Sequence, residues 1–485
     1  MQNYKTMGLK KNFFYSSILT VANYLFPLLT YPYVSRVLGV TNIGICNFVD
    51  SIVHYFVLFS ALGIGSVGIR EIAACSGDKQ QLSKTFTNLV LFNTLVTTIA
   101  LVVYIVAIYT VPQLYEYRDL MWIGALKIIG NFLLIEWLFK GLEDFKYITN
   151  RTIVVKILYV ISVFVFVRET EDYDIYFLLM TLMVAVNALF NIWYARKYVR
   201  LTLADLSIFK YAKPICVLGL YTILTSMYTT FNITYLGFVS TNDEVGYYST
   251  ATKLFTIVIA LYTAFTGVMM PRMSSLLAEG KREEFNRLIN KSVNVLITFA
   301  VPLLIVCIIF SSDIIMLLSG PGYEGAYIPT MIIMPLLLII GYNQINIVQI
   351  MTPLKAEKYI SRNSIIGAII GVSLNFLIVP HLASIGSAIT WVTSELFIMT
   401  SSYLCVKKLL GIPFPGRVLL KNILVYLPAI AISIAMYYYI DLSSFLRLTI
   451  VSAFVFIYAI SAQVFCLKDE FVMQYAGNLI RKIKK

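Results

Sequence analysis

Charge is scarce in this sequence. Only 13% of its 485 residues are Asp, Glu, Lys or Arg, about half the roughly 25% of an ordinary soluble domain. Hydrophobic residues make up 59%, so a water-facing surface for a chain of this size cannot be assembled from what remains. A soluble fold is excluded, and the surplus apolar side chains face lipid. Histidine is nearly absent: His54 and His381 stand far apart, which excludes a histidine-based metal centre. The six cysteines, at 46, 75, 216, 307, 405 and 466, never form a close pair and read as small apolar residues. No Gly-x4-Gly-Lys-Ser/Thr stretch occurs, which excludes ATP hydrolysis by that route. No metal or cofactor is implied. The apolar run from Phe13 is too long for a signal peptide and has no Ala-x-Ala-like exit, so the first helix is expected to stay.

What is present is a series of apolar runs, each long enough for the roughly 20 residues of a membrane-spanning helix. They fall near 13–34, 44–68, 85–110, 119–140, 148–168, 174–196, 212–240, 246–270, 291–317, 326–350, 362–380, 383–406, 418–440 and 445–467. The fold class expected is an all-α integral membrane protein with about fourteen transmembrane helices. The net charge of +13 does not point to nucleic acid, because the basic residues flank the apolar runs as topology signals do. With the amino terminus inside, 32 of the 38 basic residues flank the inner ends. Only Arg36, Arg118, Arg168 and Arg447 flank the outer ends, and Lys127 and Lys253 lie within spans four and eight. In this count Arg151 and Lys156 belong to the inner flank. Both termini are expected in the cytoplasm.

The chain also repeats itself. A shift of 202 places Gly44 on Gly246, Gly65 on Gly267, Arg70 on Arg272 and Lys79 on Lys281. A shift of 212 places Lys146-Tyr147-Ile148-Thr149 on Lys358-Tyr359-Ile360-Ser361. Two six-span units and two further helices account for fourteen. Six is even, so the repeats are parallel. The domains expected are an N-lobe at 1–208 (spans one to six), a C-lobe at 209–410 (spans seven to twelve), and 411–485 (spans thirteen and fourteen with a basic tail).

The Asn12–Ile18 helix start, the Leu38-Gly39-x4-Gly44 turn, the Leu62-Gly63-Ile64-Gly65 exit into Arg70 and the repeated Lys-Tyr-Ile block resemble the Wzx-type polysaccharide flippases. These belong to the multidrug/oligosaccharidyl-lipid/polysaccharide exporter superfamily. The resemblance implies transport of an undecaprenyl-pyrophosphate-linked oligosaccharide from the inner to the outer leaflet of a bacterial cytoplasmic membrane, for surface polysaccharides such as O-antigen. It also implies a polar path that opens alternately to either side and is lined mainly by spans one, two, seven and eight. The partners implied are the lipid-linked oligosaccharide, membrane lipid and polysaccharide polymerase machinery.

Several residues are candidates for that work. Lys127 and Lys253 either meet an anionic head group in a hydrated cavity or snorkel to the outer interface. Arg36, at the outer end of span one, is a third candidate cation and reads first as an interface anchor. Asp50 and His54, four apart on one helix face, are a candidate proton-responsive pair, a counter-charge for Lys253, or a local contact. Glu395, near the middle of span twelve, is a candidate for ion coupling unless Thr393, Ser394 and Ser401 solvate it. Glu136 and Lys140 read as a local pair. Asn23, Thr30, Thr229, Thr230, Asn232 and Thr234 offer either helix–helix hydrogen bonds or sugar contacts. A multidrug or cation antiporter of the same fold is the alternative function. A membrane enzyme is disfavoured, because the expected outer loops are short and hold no acid–base pair. Reporter fusions at Glu169 and Lys281 are expected to read outside and inside respectively; the reverse readings would overturn the topology.

Overall fold

The computed structural model of the chain describes residues 9–202 and 206–467, with Met473. Lys5 and the basic tail counted above (Lys468 and 481–485) lie outside the described residues. Every regular element among the described residues is helical, as lipid demands, since a bilayer interior offers the backbone no other partner. In chain order these are α1 (Leu9–Ala61), α2 (Ile64–Ala74), α3 (Lys79–Thr110), α4 (Pro112–Glu116), α5 (Arg118–Leu133), α6 (Glu136–Gly141), α7 (Phe145–Phe166), α8 (Tyr173–Ala195), α9 (Ala212–Ser226) and α10 (Phe231–Val239). There follow α11 (Asn242–Ala278), α12 (Arg282–Ile309), α13 (Ser311–Ser319), α14 (Tyr327–Ile333), α15 (Leu336–Gln344), α16 (Glu357–Leu410), α17 (Gly416–Tyr439) and α18 (Ser444–Ser461).

Among the described residues, twelve helical runs are long and apolar enough to cross a membrane. Two of them are too long to cross once. The run Phe14–Ala74 has 61 residues and Glu357–Leu410 has 54, or about 90 and 80 Å at 1.5 Å per residue, against a hydrocarbon core of about 30 Å. Each breaks in the middle, α1 at Gly39 (φ 73°) and α16 at Ala383 (φ 45°). A side chain at Gly386 would touch the Val379 backbone at 3.0 Å, which a straight helix would hold about 10 Å away. Counted twice each, these runs bring the passages to fourteen. Gly39 needs its missing Cβ because φ there is left-handed.

The chain parts into two compact units, Met1–Gly246 and Tyr247–Lys485. This division is one of packing and falls after the seventh span. The division at 208/209 is one of sequence repeat and is a separate matter. The seventh span, α9 and α10, joins the first unit because it lies against α1 and the turn after it. The Gly63 N–H donates to the Ile215 carbonyl at 3.1 Å, Tyr55 Oη donates to the Ser226 carbonyl at 3.0 Å, and Thr234 Oγ1 donates to Ser51 Oγ at 2.9 Å. Of the polar residues singled out in this span, Thr234 thus makes a bond between helices, while Thr229, in the turn between α9 and α10, donates back to the Thr225 carbonyl of α9.

In the first unit α3 is built inside out. Its Thr85, Thr87, Asn88, Asn93 and Thr97 are buried, while Leu95, Ile99, Val102, Val103 and Val106 are exposed. Lipid accepts the apolar face, and the polar face holds the chain that links the sixth and seventh spans. The N–H groups of Arg200, Thr202 and Ser207 donate to Ser83 Oγ (3.2 Å), Thr87 Oγ1 (3.1 Å) and Asn88 Oδ1 (2.7 Å). Asp78 starts the helix by accepting from the N–H groups of Gln80 and Gln81, the arrangement of an N-cap.

Two of the repeat-related glycines meet. Gly44 has no room for a Cβ because the Asn242 carbonyl stands there, and at Gly246 the Val40 carbonyl does the same. Under the shift of 202, residue 242 corresponds to 40, so the two close approaches are one contact seen from each end. Thr41 donates to Asp243 beside it, again a pair related by the same shift. The glycines of a second repeat pair, Gly65 and Gly267, have nothing within 4 Å of a would-be Cβ.

In the second unit the last two helices are fastened to the rest. Arg447, on α18, pairs with Asp313, on α13, whose side chain is 1% exposed. The guanidinium also lies 5.2 Å from the Tyr437 ring of α17. Tyr458 Oη donates to the Val425 carbonyl at 2.7 Å. Arg447 is therefore held by a buried carboxylate and not merely placed at an outer end.

Replacing Gly44 with Leu is expected to lower stability by about 1–3 kcal/mol through overpacking. Gly267→Ala, in open space on a helix, is expected to change it little or raise it by up to about 1 kcal/mol. Thermal unfolding of the purified protein in detergent measures both, and equal melting shifts would refute the distinction.

Candidate functional site

Asp50 on α1 and Lys127 on α5 form an ion pair, with side chains 29% and 18% exposed. Neither alternative drawn for Lys127 included this carboxylate. Asp50 has its counter-charge in the first unit's own bundle. His54 stands one turn from Asp50 on the same helix, partly buried, so the two share a face as their spacing predicts. Arg36 is exposed and its Nη1 donates to the Pro32 carbonyl of its own helix at 3.0 Å.

A second cluster surrounds an interruption of the fourth span. Helix α5 ends at Leu133, α6 begins at Glu136, and Ile135 between them is left-handed at φ 36°. A β-branched residue disfavours that conformation, and the break leaves carbonyls without helical partners. The Asn191 carboxamide, from α8, donates to the Leu134 carbonyl and accepts from Arg151. Arg151 Nη2 reaches Glu136 at 2.7 Å, and Lys140 reaches the other oxygen of Glu136 at 3.1 Å. The expected Glu136–Lys140 pair is present, as part of something larger. Tyr147 Oη donates to Asn191 Oδ1 at 3.1 Å, and its ring stacks on Tyr194 at 3.7 Å. Tyr194 and Tyr198 both donate to Asp144 Oδ2, at 3.0 and 2.8 Å. Burial pushes the Tyr198 phenol above its ordinary range, so it stays a donor.

Arg151 and Lys156 belong to the inner flank in the charge count made from the sequence. Both sit within α7, Arg151 at 7% exposure and Lys156 near the middle of a 22-residue helix. Lys156 therefore stands well inside a helix that is long and apolar enough to cross a membrane, and Arg151 within its first two turns. Lys156 Nζ donates to Asn23 Oδ1 at 2.7 Å and lies 5.8 Å from the Phe26 ring. Among the described residues no carboxylate pairs with it. The sequence signal was available, since both fall inside the run 148–168. It was overridden because a basic residue near the end of an apolar run reads as a topology mark.

In the second unit Glu395 is buried at 6% exposure on α16. Two of the three hydroxyls named for solvating it are engaged elsewhere: Ser394 donates to the Thr390 carbonyl at 2.7 Å and Ser401 to Asn363 Oδ1 at 2.7 Å. Among the described residues Glu395 has no ion-pair partner. Lys253 is partly buried on α11, next to buried Leu254 and Phe255. Phe255 packs edge-on against Trp391, one turn from Glu395, at 5.2 Å between ring centroids. Gln349, in the π-helical turn Ile345–Met351, is fully buried with both polar side-chain atoms unpaired.

Comparison with known proteins bears on this architecture. Residues 9–277 match a family described as "Polysaccharide biosynthesis protein". The chain is 25% identical over 408 residues to a "Putative O-antigen transporter" of Escherichia coli strain K12, across 84% of this chain and 98% of that protein. It is 25% identical over 415 residues to a protein of the same name from Shigella dysenteriae, across 82% and 100%. Among solved structures it is similar to the lipid II flippase MurJ in an inward closed conformation, with a TM-score of 0.75, 16% identity, and 93% and 98% of the two chains covered. An inward-facing multidrug resistance MATE family transporter of the MOP superfamily follows at 0.62 and 14%, with 81% and 98% covered. These likenesses establish the fold as that of the flippases and multidrug transporters and the chain as a multi-pass membrane protein.

Removing the Asn191 carboxamide leaves the Leu134 carbonyl, Arg151 and Tyr147 each short of a partner. Asn191→Leu is expected to cost about 1–3 kcal/mol for each buried group left unsatisfied. Ile135→Gly is expected to be neutral or stabilising, because glycine accepts the left-handed turn. Melting in detergent reads both, and a fully stable Asn191→Leu would show that the break needs no such support.

Proposed function

The chain belongs to the polysaccharide biosynthesis protein family, and from that premise we propose that it carries an oligosaccharide repeat unit, linked to undecaprenyl pyrophosphate, from the inner to the outer leaflet of a bacterial cytoplasmic membrane. The observation that supports this most is the likeness, over nearly their whole length, to two relatives named for O-antigen transport. Movement is by alternating access, with both termini in the cytoplasm and the repeats 1–208 and 209–410 as the moving lobes. Lys253 and Arg36 attract the pyrophosphate, and Lys127 joins them where the head group draws it away from Asp50. Asp50, His54 and Glu395 couple the movement to an ion. Polymerase machinery on the far side receives the product.

Charge separates this reading from the cation antiporter. An exporter of cations needs spare carboxylates inside the membrane, whereas a pyrophosphate needs spare cations. In the first unit Asp50 is neutralised by Lys127, and Glu136 by Lys140 and Arg151. Lys156 has only a carboxamide and an aromatic ring. The unit's described intramembrane balance is therefore positive. Buried Glu395 is the feature that keeps the antiporter as the second reading.

Complementation of a flippase-null strain tests the proposal. Lys253→Ala is expected to abolish it and Lys253→Arg to keep part, since arginine keeps the charge but not the point-like ammonium. Asp50→Asn is expected to flatten the pH dependence in the same assay. Protein levels in the membrane are measured alongside. If Lys253→Ala inserts normally and complements fully, the head group is not read there; if the wild-type chain fails to complement, the substrate assignment falls.

A further inference from the structure

The Leu62-Gly63-Ile64-Gly65 turn does more than end α1. It opens one wall of a 360 Å³ cavity in the first unit, whose other walls include Asn93, Asn131, Glu136 and Lys140. Leu62 is left-handed at φ 42°, and α2 starts immediately after Gly63 without any side-chain cap. A glycine turn that feeds an uncapped helix start presents backbone N–H groups and the positive end of the helix dipole. Gly63 is fixed by packing, because a Cβ would press on Leu218 and the Ile215 carbonyl. Gly65 is not: nothing lies within 4 Å of where its Cβ would stand. Its bareness leaves the helix start open to the cavity.

The side chains lining the cavity point to a ligand independently. Asn93 is buried at 6% exposure and lines the space. Among the described residues neither its carboxamide nor that of Asn131 has a hydrogen-bond partner. Both carboxamides therefore turn free donors and acceptors to the cavity, which an occupant would take up. The charge sets the sign of that occupant. Glu136 is the one carboxylate on the wall, and its two oxygens are taken by Lys140 at 3.1 Å and Arg151 at 2.7 Å. One carboxylate against two cations leaves a surplus positive charge. A metal cation is disfavoured there, and an acceptor-rich anion is favoured.

We propose that this cavity is an oxyanion site of the phosphate class, held by the N–H groups at the start of α2, the amide groups of Asn93 and Asn131, and the Lys140 ammonium. Phosphate oxygens accept from every one of these donors, and Lys140 has three N–H bonds, enough to serve Glu136 and the anion together. The same chemistry belongs to free phosphate and to the pyrophosphate of an isoprenoid lipid. The site stands on the cavity itself and not on the transport reading.

Equilibrium dialysis of the full chain in neutral detergent, with radiolabelled inorganic pyrophosphate at constant ionic strength in chloride, tests it. Trp137, on the cavity wall, supplies a second readout by fluorescence. Saturable binding at one site per chain is expected, weakened at least tenfold by Gly65→Ala, which fills the cradle, and by Asn93→Asp, which sets a carboxylate against the anion. Lys281→Gln, on an exposed turn, is expected to bind as the wild type does. Circular dichroism and melting confirm that the variants are folded. Displacement by farnesyl pyrophosphate tenfold better than by pyrophosphate supports the site with a lipid head group as its source, and equal displacement supports it with free phosphate. Absence of saturable binding to the wild type, or equal binding by folded Gly65→Ala and Asn93→Asp, overturns the proposal. Neither result depends on complementation, so this site and the flippase reading fail separately.

Discussion

The carboxamide of Asn191 donates to the Leu134 carbonyl and accepts from Arg151, and the first unit's broken span depends on it. Inside a bilayer a helix is interrupted only where something else takes up the freed backbone groups. Here one side chain does so and at the same time orients the guanidinium that neutralises Glu136. The left-handed Ile135, the buried Arg151 and the polar cavity beside the break follow from that single arrangement. Without it, the Leu134 carbonyl would lie unsatisfied beside a guanidinium that keeps Glu136 but has lost one of its partners, and a buried polar group left in that state is costly.

Much of the fold is legible in the sequence because lipid imposes a coarse rule. Runs of about 20 apolar residues gave fourteen passages, and the two doubled runs, bent at Gly39 and Ala383, agree with that number. One glycine pair of the proposed repeat, Gly44 and Gly246, has a physical reason in the close approach of their backbones. Small residues recur where backbones must touch. The breaks within spans were not legible. Ile135 and Leu62 are ordinary apolar residues in sequence and become special only through their backbone angles.

The candidate site was legible in its residue types but not in its pairings. Asp50 and Lys127 were each singled out, yet 77 positions separate them, and no helical spacing connects residues on different spans. Asn191 and Asn93 carried no signal, since an asparagine in an apolar run looks like any helix–helix contact. Lys156 was hidden by a rule that is right for most basic residues of this chain. The positive-inside rule weighs where charges flank a span, and a lysine held by Asn23 at mid-helix lies outside what that rule describes.

The Asp313–Arg447 pair sets a condition on how the chain is made. Asp313 is buried at 1% exposure on α13, and its cation lies 134 positions later. During synthesis the carboxylate therefore leaves the ribosome long before its partner exists. Until α18 arrives, the second unit holds an acid that must be protonated, hydrated or kept out of the bilayer. The last two helices are then not an appendix to the repeated body but the step that completes it, and a chain stopped short of residue 447 would carry an unfinished core.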